Sequence, residues 1–351
     1  MQSPKISVIV GCYNILKWLK LGRLNNIYNQ TYQNWELILV DDGSTDATLD
    51  FLKTEAQKDF RIKVFHKENG GLGSARNFGL DVATGDYICS FDVDDEIEPD
   101  MLECCVSTME QKGVDVMMFG FYAITPHLNI KQKVQLQETE IMNRQQLADS
   151  YIERILLVPN GNGFFWNKCY RRCFLEKHNL RFDCQYIQQD EFFNLKVYEV
   201  LEKCYISPRV LYNYYIYTTG NNRSRFIASR FDIYKSIYNQ FRSIQNTFKI
   251  SDAKFDDYLY KRLLVNVKDC LLFNLFHQNC TWSKIEKTAE LKKVMTDSDV
   301  KSAIAYCRSK GLNSLDKLII LAFESESICW IAILRRLLIY VRNIKSYVYK
   351  K

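Results

Sequence analysis

Several familiar signatures of enzyme chemistry are absent from this chain of 351 residues. Its four histidines form no H-E-x-x-H sequence and its 12 cysteines form no C-x-x-C pair, so the common zinc motifs are excluded. The glycines Gly70, Gly71 and Gly73 do not fit G-x-G-x-x-G, and they follow the third predicted strand rather than the first. They predict a flexible loop beside a ligand rather than a dinucleotide fingerprint.

We also expect no secretion signal, and the chain has no long apolar run. Its first residues lead directly into a strand pattern, and Arg335 and Arg336 interrupt the apolar stretch near the C-terminus. Apolar residues make up 47% of the chain, which is ample for a core. Cys12 and Cys89 lie within predicted strands. The sequence therefore predicts buried, reduced thiols and a cytoplasmic protein.

Two acidic clusters are prominent among the residues that are present. Residues 41–46, DDGSTD, follow an apolar run at 35–40, and residues 92–95, DVDD, follow a run at 86–91. Such runs predict buried parallel strands, whose carboxyl ends line the ligand crevice of an open α/β sheet. Either cluster alone is equally typical of a solvated turn. Two clusters at equivalent strand ends favour a ligand site, and the D-x-D spacing predicts Mg²⁺ or Mn²⁺ holding a diphosphate.

Strand and helix patterns alternate from residue 5 to residue 95. A helix after the first strand carries Trp18, Leu19 and Leu24 on one side, and a second helix begins near Asp46, which is placed as its N-cap. We therefore predict an α/β fold with a mostly parallel sheet, flanking helices and right-handed crossovers. The predicted strands are 5–10, 35–40, 61–65 and 86–91.

These segments closely resemble the family 2 glycosyltransferases, which are inverting enzymes with a GT-A fold. No single segment is decisive, but their order along the first hundred residues is specific to the family. The resemblance implies a GT-A fold and a nucleotide-sugar donor with a uracil-type base. The matching segments are SVIV at 7–10, YN at 13–14, NQTY at 29–32, ELILVDDGSTD at 36–46, ENGGLGSARNFG at 68–79, ATGDYI at 83–88 and DVDD at 92–95.

The second acidic cluster is assigned to the metal and the diphosphate. Transfer from a nucleotide-sugar requires neutralisation of the departing diphosphate, which a carboxylate-bound divalent cation can supply. We expect Asp94 to be the first metal ligand and Asp92 to face the metal or the ribose. Arg76 either adds positive charge beside the phosphates or pairs locally as a surface arginine.

The first acidic cluster is assigned to the nucleotide base. Asp42 lies at the end of its strand and can accept a hydrogen bond from an N–H group of the base. The family resemblance implies the same contact with a uracil ring, with Tyr13 stacking nearby. Gly71 belongs to the loop that is expected to lie close to the nucleotide.

A second, sparser region extends the resemblance towards the acceptor. By family likeness Asp190 is the general base that takes the acceptor proton, with Trp166 and Lys168 on the acceptor side. From the residues alone, Asp190 fits an exposed helix N-terminus equally well, and Trp166 fits a core position. This sequence departs from the family where Gln189 replaces an acidic residue and Gly11 replaces Pro or Thr. The segments are WNKCYRR at 166–172 and QQDEFF at 188–193.

The predicted function is transfer of a sugar, with inversion, to a glycan or lipid-linked acceptor during cell-surface polysaccharide synthesis. A non-catalytic relative that only binds nucleotide-sugars is the alternative, and Gln189 and Gly11 motivate it. A sugar-nucleotide pyrophosphorylase would carry a glycine-rich N-terminal loop, which this sequence lacks.

The sequence changes character after residue 225. We predict a GT-A glycosyltransferase domain over 1–225, a helical region over 226–327 and a basic amphipathic helix over 328–351. No motif of the helical region resembles a catalytic element, so it indicates nothing about the acceptor. Its predicted helices are 229–248, 253–276 and 284–294.

The last predicted helix concentrates positive charge. From Trp330 onwards it carries six cations and no acid, whereas the rest of the chain balances 41 basic against 41 acidic residues. One interpretation is a helix that lies on the anionic inner face of the cell membrane. The other is an ordinary helix whose apolar face packs on the globular domain. Confinement of the excess charge to this helix argues against nucleic acid as a partner. The predicted apolar face comprises Trp330, Ile333, Leu334, Leu337, Val341, Ile344 and Val348.

Overall fold

The computed structural model describes residues 3–158, 163–183, 187–217 and 225–348, with the backbone alone for 341–348. The chain divides into two compact units. The first comprises Met1–Gly220 and Ser243–Lys249, and the second comprises Asn221–Arg242 and Ile250–Lys351.

The first unit is built on a mixed ten-stranded sheet with helices around it. Its strands are β1 (Ile6–Cys12), β2 (Trp35–Asp42), β3 (Ile62–Lys67), β4 (Tyr87–Ser90), β5 (Glu96–Ile97), β6 (Val116–Thr125), β7 (Ile130–Val134), β8 (Thr139–Ile141), β9 (Lys168–Arg171) and β10 (Cys204–Tyr215). Its helices are α1 (Leu16–Lys20), α2 (Asn25–Tyr28), α3 (Thr48–Ala56), α4 (Leu72–Val82), α5 (Met101–Lys112), α6 (Arg144–Tyr151), α7 (Arg172–Lys177) and α8 (Gln189–Val200).

The first four strands form the parallel part of the sheet. They lie in the order β3-β2-β1-β4, and each neighbouring pair is parallel. All eight residues of β2 are buried, as expected for a parallel strand that helices cover on both faces. Parallel alignment brings the carboxyl ends of β1 to β4 to the same edge.

The strands beyond residue 95 make the sheet mixed. Strand β9 lies between β4 and β6 and is antiparallel to both, whereas β6 and β10 are parallel. The predicted α/β fold class is confirmed, and the parallel sheet is found where the alternating patterns predicted it. The strands between residues 96 and 215 were not predicted from the sequence, because they follow no strand–helix alternation.

Two predicted helix boundaries were wrong. The helix after β1 is interrupted at Leu21 and Gly22, where glycine adopts a φ of +73°, so it forms α1 and α2 instead. Helix α3 begins at Thr48 rather than at Asp46. The Asp46 carboxylate still accepts a hydrogen bond from the Thr48 backbone N–H at 3.0 Å, so it caps the helix from one residue further back.

Helix α4 packs closely against β1. A Cβ atom at Gly79 would lie 2.4 Å from Cγ2 of Ile9, so only glycine allows this approach. The close packing fixes the position of Arg76, which lies one turn earlier on α4.

Three thiols form a cluster on the same sheet. Cys89 of β4 is paired directly with Cys169 of β9, and with Cys105 of α5 their sulfur atoms lie within 4.8 Å of one another. All three are fully buried. For each cysteine a hydrogen bond with one neighbouring thiol lowers the pKa, but the other thiol and burial outweigh it and raise the pKa well above its ordinary value. The three are therefore packed as neutral side chains.

The second unit is helical. Its N-terminal helix α9 (Arg230–Thr247) is shared with the first unit, and the others follow in sequence. No helix of the described part of the chain has the length and apolar composition that crossing a membrane requires. The remaining helices are α10 (Ala253–Lys268), α11 (Lys284–Thr296), α12 (Ser298–Ser309), α13 (Ser314–Glu324) and α14 (Ile328–Val348).

Candidate active site

The loop after β1 is tied to the loop after β2. The Asn14 side chain accepts a hydrogen bond from the Thr45 backbone N–H at 2.8 Å, and the Asn14 backbone N–H donates to Oγ of Ser44 at 3.0 Å. The neighbouring Tyr13 is about half exposed, at 47% of its surface. Its ring is therefore open to solvent at the carboxyl edge of the sheet, where the sequence predicted a stacking partner for the base.

Asp42 lies beneath the glycine loop. Its carboxylate accepts hydrogen bonds from Nζ of Lys67 at 2.7 Å and from the backbone N–H groups of Gly70 at 3.0 Å and Gly71 at 2.7 Å. Gly71 has a φ of +84°, which favours glycine, and it directly precedes α4. Asp42 thus fixes the loop that borders the edge, and its predicted bond to a base stays a prediction.

The partner of Asp41 was not predicted from the sequence. This residue is fully buried, and its Oδ2 lies 2.7 Å from Nδ1 of His66, which is half exposed at the end of β3. The pairing of Asp41 with His66 in the parallel register of β2 and β3 brings them together. The only sign of this contact in the sequence is that Asp41 and His66 each lie near the end of a predicted strand.

Gly11 is explained by its neighbour. A Cβ atom there would lie 2.7 Å from Cδ1 of Leu72, the first residue of α4. The absence of a side chain at this position therefore makes room for Leu72. The departure from the family pattern is a local packing change at the end of β1, where Gly11 is paired with Val40, the residue before the first acidic cluster.

Arg76 connects the two halves of the site. Its guanidinium donates from Nη2 to Oδ1 of Asp92 at 3.1 Å and from Nη1 to Oδ1 of Asp190. The side chain is 1% exposed, and the rings of Phe165 and Phe182 each lie 5.5 Å from its guanidinium carbon. Burial alone would lower the pKa of Arg76, but the charges of Asp190 and Asp92 outweigh the effect of burial, so the pKa is raised. The structure places this arginine between carboxylates rather than on an open surface.

The D-x-D segment alternates between outward and inward side chains. Asp92 and Asp94 are partly exposed, whereas Val93 and Asp95 are buried. Burial raises the pKa of Asp92 against the opposing effect of Arg76, and burial followed by the charge of Asp92 raises the pKa of Asp94 to about 6. Asp94 forms no ion pair with any residue that the structure describes. The pair therefore carries negative charge that the protein only partly neutralises.

Asp95 anchors this segment from below. It accepts hydrogen bonds from Oη of Tyr212 at 3.0 Å and from the Tyr215 backbone N–H at 2.7 Å, and the Asp92 backbone N–H donates to the same tyrosine oxygen at 3.2 Å. Trp166 stacks on Tyr212, with ring centroids 4.2 Å apart. Trp166 is 2% exposed, so its side chain supports the acidic segment from the core and is not open to an acceptor.

Asp190 lies in the first turn of α8, with both carboxylate oxygens engaged. Oδ1 accepts from Arg76, and Oδ2 accepts from the Phe165 backbone N–H at 3.1 Å. Its side chain is nevertheless 23% exposed, so solvent reaches it. The preceding Gln189 approaches α4, because a Cβ at Gly73 would lie 3.1 Å from its Oε1. The residue predicted as the base therefore shares one cluster with Asp92.

Lys168 is wholly buried beside this cluster. Its Nζ donates to the Phe164 carbonyl at 2.6 Å and to Oδ1 of Asn167 at 2.8 Å. Burial lowers the pKa of Lys168 to about 7, although the charge of Asp190 opposes the shift. The side chain holds the backbone next to Phe165, and it is not open to an acceptor either.

The depressed pKa makes a prediction about stability. An unfolded lysine titrates near 10.4, so between pH 7 and 10.4 the folded protein binds fewer protons at Lys168 than the unfolded chain does. This residue's contribution to the free energy of unfolding is therefore lowest below pH 7 and rises with pH. Replacement of Lys168 by Met should remove a slope of about 1.4 kcal/mol per pH unit between pH 7 and 9. Urea unfolding of both proteins across this range measures it.

The exposed Lys53 on α3 provides the control, because Lys53→Met should leave the pH dependence unchanged. If the free energy of unfolding changes with pH in the same way for the wild type and Lys168→Met, Lys168 is protonated in the folded protein and the prediction is wrong.

Similarity to known proteins agrees with this geometry. Residues 7–177 match the model of Glycosyl transferase family 2. This segment of the chain therefore matches that family, and the resemblance drawn from its motifs is confirmed.

Three curated relatives illustrate the match. EpsH of Bacillus subtilis, a glycosyltransferase by name, is 33% identical over 224 residues, covering 63% of each chain. Glycosyltransferase GlyA of Streptococcus pneumoniae is 32% identical over 62% of this chain and 31% of its own. The cholesterol galactosyltransferase of Borreliella burgdorferi is 25% identical over 89% of each chain. This chain thus spans less than two thirds of EpsH and about a third of GlyA.

Solved structures show the fold over more of the chain. The crystal structure of S. aureus TarS 1–349 in complex with UDP has a TM-score of 0.64 and 18% identity, covering 95% of this chain and 90% of that one. The complex of the same protein with UDP-GlcNAc also scores 0.64, at 20% identity. At this identity the likeness concerns the fold alone, and it confirms the predicted GT-A architecture.

Proposed function

We propose that the protein is a metal-dependent inverting glycosyltransferase that uses a UDP-sugar. Its acceptor is a hydroxyl of a glycan or lipid-linked sugar, in the synthesis of a cell-surface polysaccharide at the inner face of the membrane. The observation that carries this proposal is the cluster at one sheet edge in which Arg76 joins Asp92 to Asp190. The UDP and UDP-GlcNAc complexes of TarS, which has the same fold, support the choice of donor.

The acidic pair fits a divalent cation. Asp92 and Asp94 offer carboxylate oxygens, the ligands that Mg²⁺ and Mn²⁺ prefer. Burial, followed by the nearby charge of Asp92, raises the pKa of Asp94, and a bound cation would offset the repulsion between the two carboxylates. When bound, such an ion would supply charge neutralisation for the departing diphosphate.

Asp190 is the proposed general base. Arg76 and the Phe165 N–H fix its two oxygens, while partial exposure leaves the carboxylate accessible to an acceptor hydroxyl. The acceptor oxygen attacks the anomeric carbon as the bond to the diphosphate breaks, and its proton passes to Asp190. A single displacement of this kind inverts the anomeric configuration.

The non-catalytic alternative rests on Gln189 and Gly11. Neither residue disturbs the contacts of Asp190, because Gly11 accommodates Leu72 and the amide of Gln189 approaches Gly73. Retention of Asp94 beside Asp92 and Asp190, which Arg76 connects, favours catalysis.

Replacement of Asp94 by Ala tests the metal site. Loss of even the partners of metal ligands commonly lowers metal affinity by about 10- to 100-fold, so loss of a ligand should cost at least that much. Calorimetric titration with UDP should show that Mn²⁺ strengthens binding to the wild type and has little effect on Asp94→Ala.

The exposed Asp50 on α3 serves as the matched control, because Asp50→Ala removes an acid far from the cluster in sequence. The same Mn²⁺ enhancement in Asp94→Ala and in Asp50→Ala would remove Asp94 from the proposed metal site.

A further inference from the structure

Helix α14 has two apolar faces, of which the second unit buries only one. Ile328, Ile331 and Leu334 are buried, at 7%, 0% and 6% exposure. The sequence had grouped Leu334 on one apolar face with Trp330, Ile333 and Leu337. Leu334 lies at the edge of that face, about 40° from Trp330 at 100° per residue, and it is buried. The predicted positions Val341, Ile344 and Val348 lie outside the residues whose side chains the structure describes.

The other apolar face of α14 is exposed to solvent. It consists of four residues that are between 47% and 65% exposed. At 100° per residue they fall within about 80° of arc, so they form one narrow stripe. Tryptophan and tyrosine lie at its two ends, and these residues are typical of the boundary between lipid and water. The stripe consists of Trp330, Ile333, Leu337 and Tyr340.

The adjacent helix α13, which packs against α14, repeats this arrangement. Its inner face buries Ile319, Ile320 and Phe323, whereas its outer face carries three leucines that are each about half exposed. Two neighbouring helices thus present apolar side chains that the fold does not cover. The outer leucines are Leu315, Leu318 and Leu321.

The charges on α13 and α14 indicate what kind of partner would cover their exposed apolar faces. Each acid after residue 310 is neutralised by a cation elsewhere in the unit: Asp316 by Lys268, Glu324 by Arg308 and Glu326 by Lys292. Lys317 of α13 and Arg336 of α14 are exposed and form no ion pair with any described residue. Arg336 lies about 40° from the apolar stripe on the helical wheel. The exposed faces of α13 and α14 are therefore apolar, and Lys317 and Arg336 add positive charge that no acidic residue of these two helices neutralises.

We propose that the exposed faces of α13 and α14 form a docking surface for an anionic membrane. The apolar side chains would enter the headgroup region while Lys317 and Arg336 contact acidic lipid headgroups. A second copy of the chain would bring like charges together, which disfavours self-association through the same surface. Attachment is parallel to the bilayer surface, because neither helix is able to span it.

Sedimentation of the full chain with vesicles tests the surface. The wild type should sediment with phosphatidylcholine vesicles that contain phosphatidylglycerol, and much less with phosphatidylcholine alone or at high salt. Leu318→Glu and Ile333→Glu should each lower the partition coefficient about tenfold or more, as loss of a buried leucine or isoleucine side chain implies. Arg336→Glu should lower it about 30-fold, since it reverses one charge at the lipid surface.

Matched controls are available in the same unit. Ile285→Glu on α11 changes an apolar side chain that is 82% exposed, and Lys301→Glu on α12 reverses an exposed cation. Both should bind vesicles like the wild type. All variants should retain the wild-type thermal unfolding and UDP affinity, because the changed side chains are exposed.

Tryptophan fluorescence provides a second measurement that does not depend on sedimentation. Vesicles should shift the wild-type emission to the blue, and Trp330→Phe should abolish the shift. The proposal is overturned if the wild type does not bind acidic vesicles, or if the surface variants match their controls. It is also overturned if the protein is a dimer that Ile333→Glu dissociates without any change in vesicle binding.

Discussion

Replacing Asp190 with Asn is expected to slow sugar transfer by roughly two to four orders of magnitude while donor binding stays close to that of the wild type. The amide keeps the shape of the side chain, and its oxygen can still accept from Arg76. Its NH2 group cannot accept from the Phe165 N–H as Oδ2 does, and the amide cannot take a proton from the acceptor. Single-turnover rates with saturating donor measure the effect on the chemical step, and calorimetry with UDP measures donor binding.

Glu191 is the matched control for this experiment. It follows Asp190 directly in the first turn of α8, and Glu191→Gln makes the same chemical change one residue away. We expect transfer by that variant to remain within a few-fold of the wild type. A normal rate in Asp190→Asn would refute the assignment, and a slow rate confined to Glu191→Gln would transfer the role to Glu191.

Loss of Arg76 is expected to destabilise the first unit severely. Arg76→Met leaves Asp92 and Asp190 without their shared cation, and breaking a buried pair by removing one partner costs about 3–5 kcal/mol. Arg76→Lys should rescue little, because one ammonium group cannot reproduce the fork of donors that reaches both carboxylates. Urea unfolding at neutral pH measures the loss.

A surface arginine shows what an ordinary ion pair contributes. Arg181 pairs with Asp81 at 2.8 Å, but Asp81 is 60% exposed, so Arg181→Met should cost no more than about 1 kcal/mol. Equal stability losses in the two variants would show that Arg76 is not the connection that holds the cluster together.

The donor side of the site was largely predictable from local pattern. The strand ends predicted that Asp42 and the 92–95 cluster share one edge, and the D-x-D spacing predicted that Asp92 and Asp94 lie near one point. The buried position of Asp95 was not predicted. These predictions depend only on the spacing of residues within one segment and on the parallel alignment of strands. Both are properties that a short stretch of sequence determines.

The connections between distant segments were not predictable in this way. Arg76 and Asp190 are 114 residues apart, and nothing in either segment indicates that one guanidinium bridges two carboxylates. Resemblance suggested an acceptor-side role for Trp166 and Lys168, but the structure buries both. The antiparallel insertion of β9 beside β4 accounts for this, because it carries Lys168 into the centre of the sheet.

The most direct test of the central claim is turnover of a nucleotide-sugar by the purified protein. A panel of UDP-sugars would be incubated with Mn²⁺ or Mg²⁺ and candidate glycan acceptors, and released UDP and the anomeric configuration of the product would be followed by NMR. We predict metal-dependent release of UDP with one sugar, an inverted product, and loss of both in Asp190→Asn. A protein that binds a UDP-sugar with wild-type strength in every variant, yet releases no UDP with any acceptor, would contradict catalysis and identify a binding protein instead.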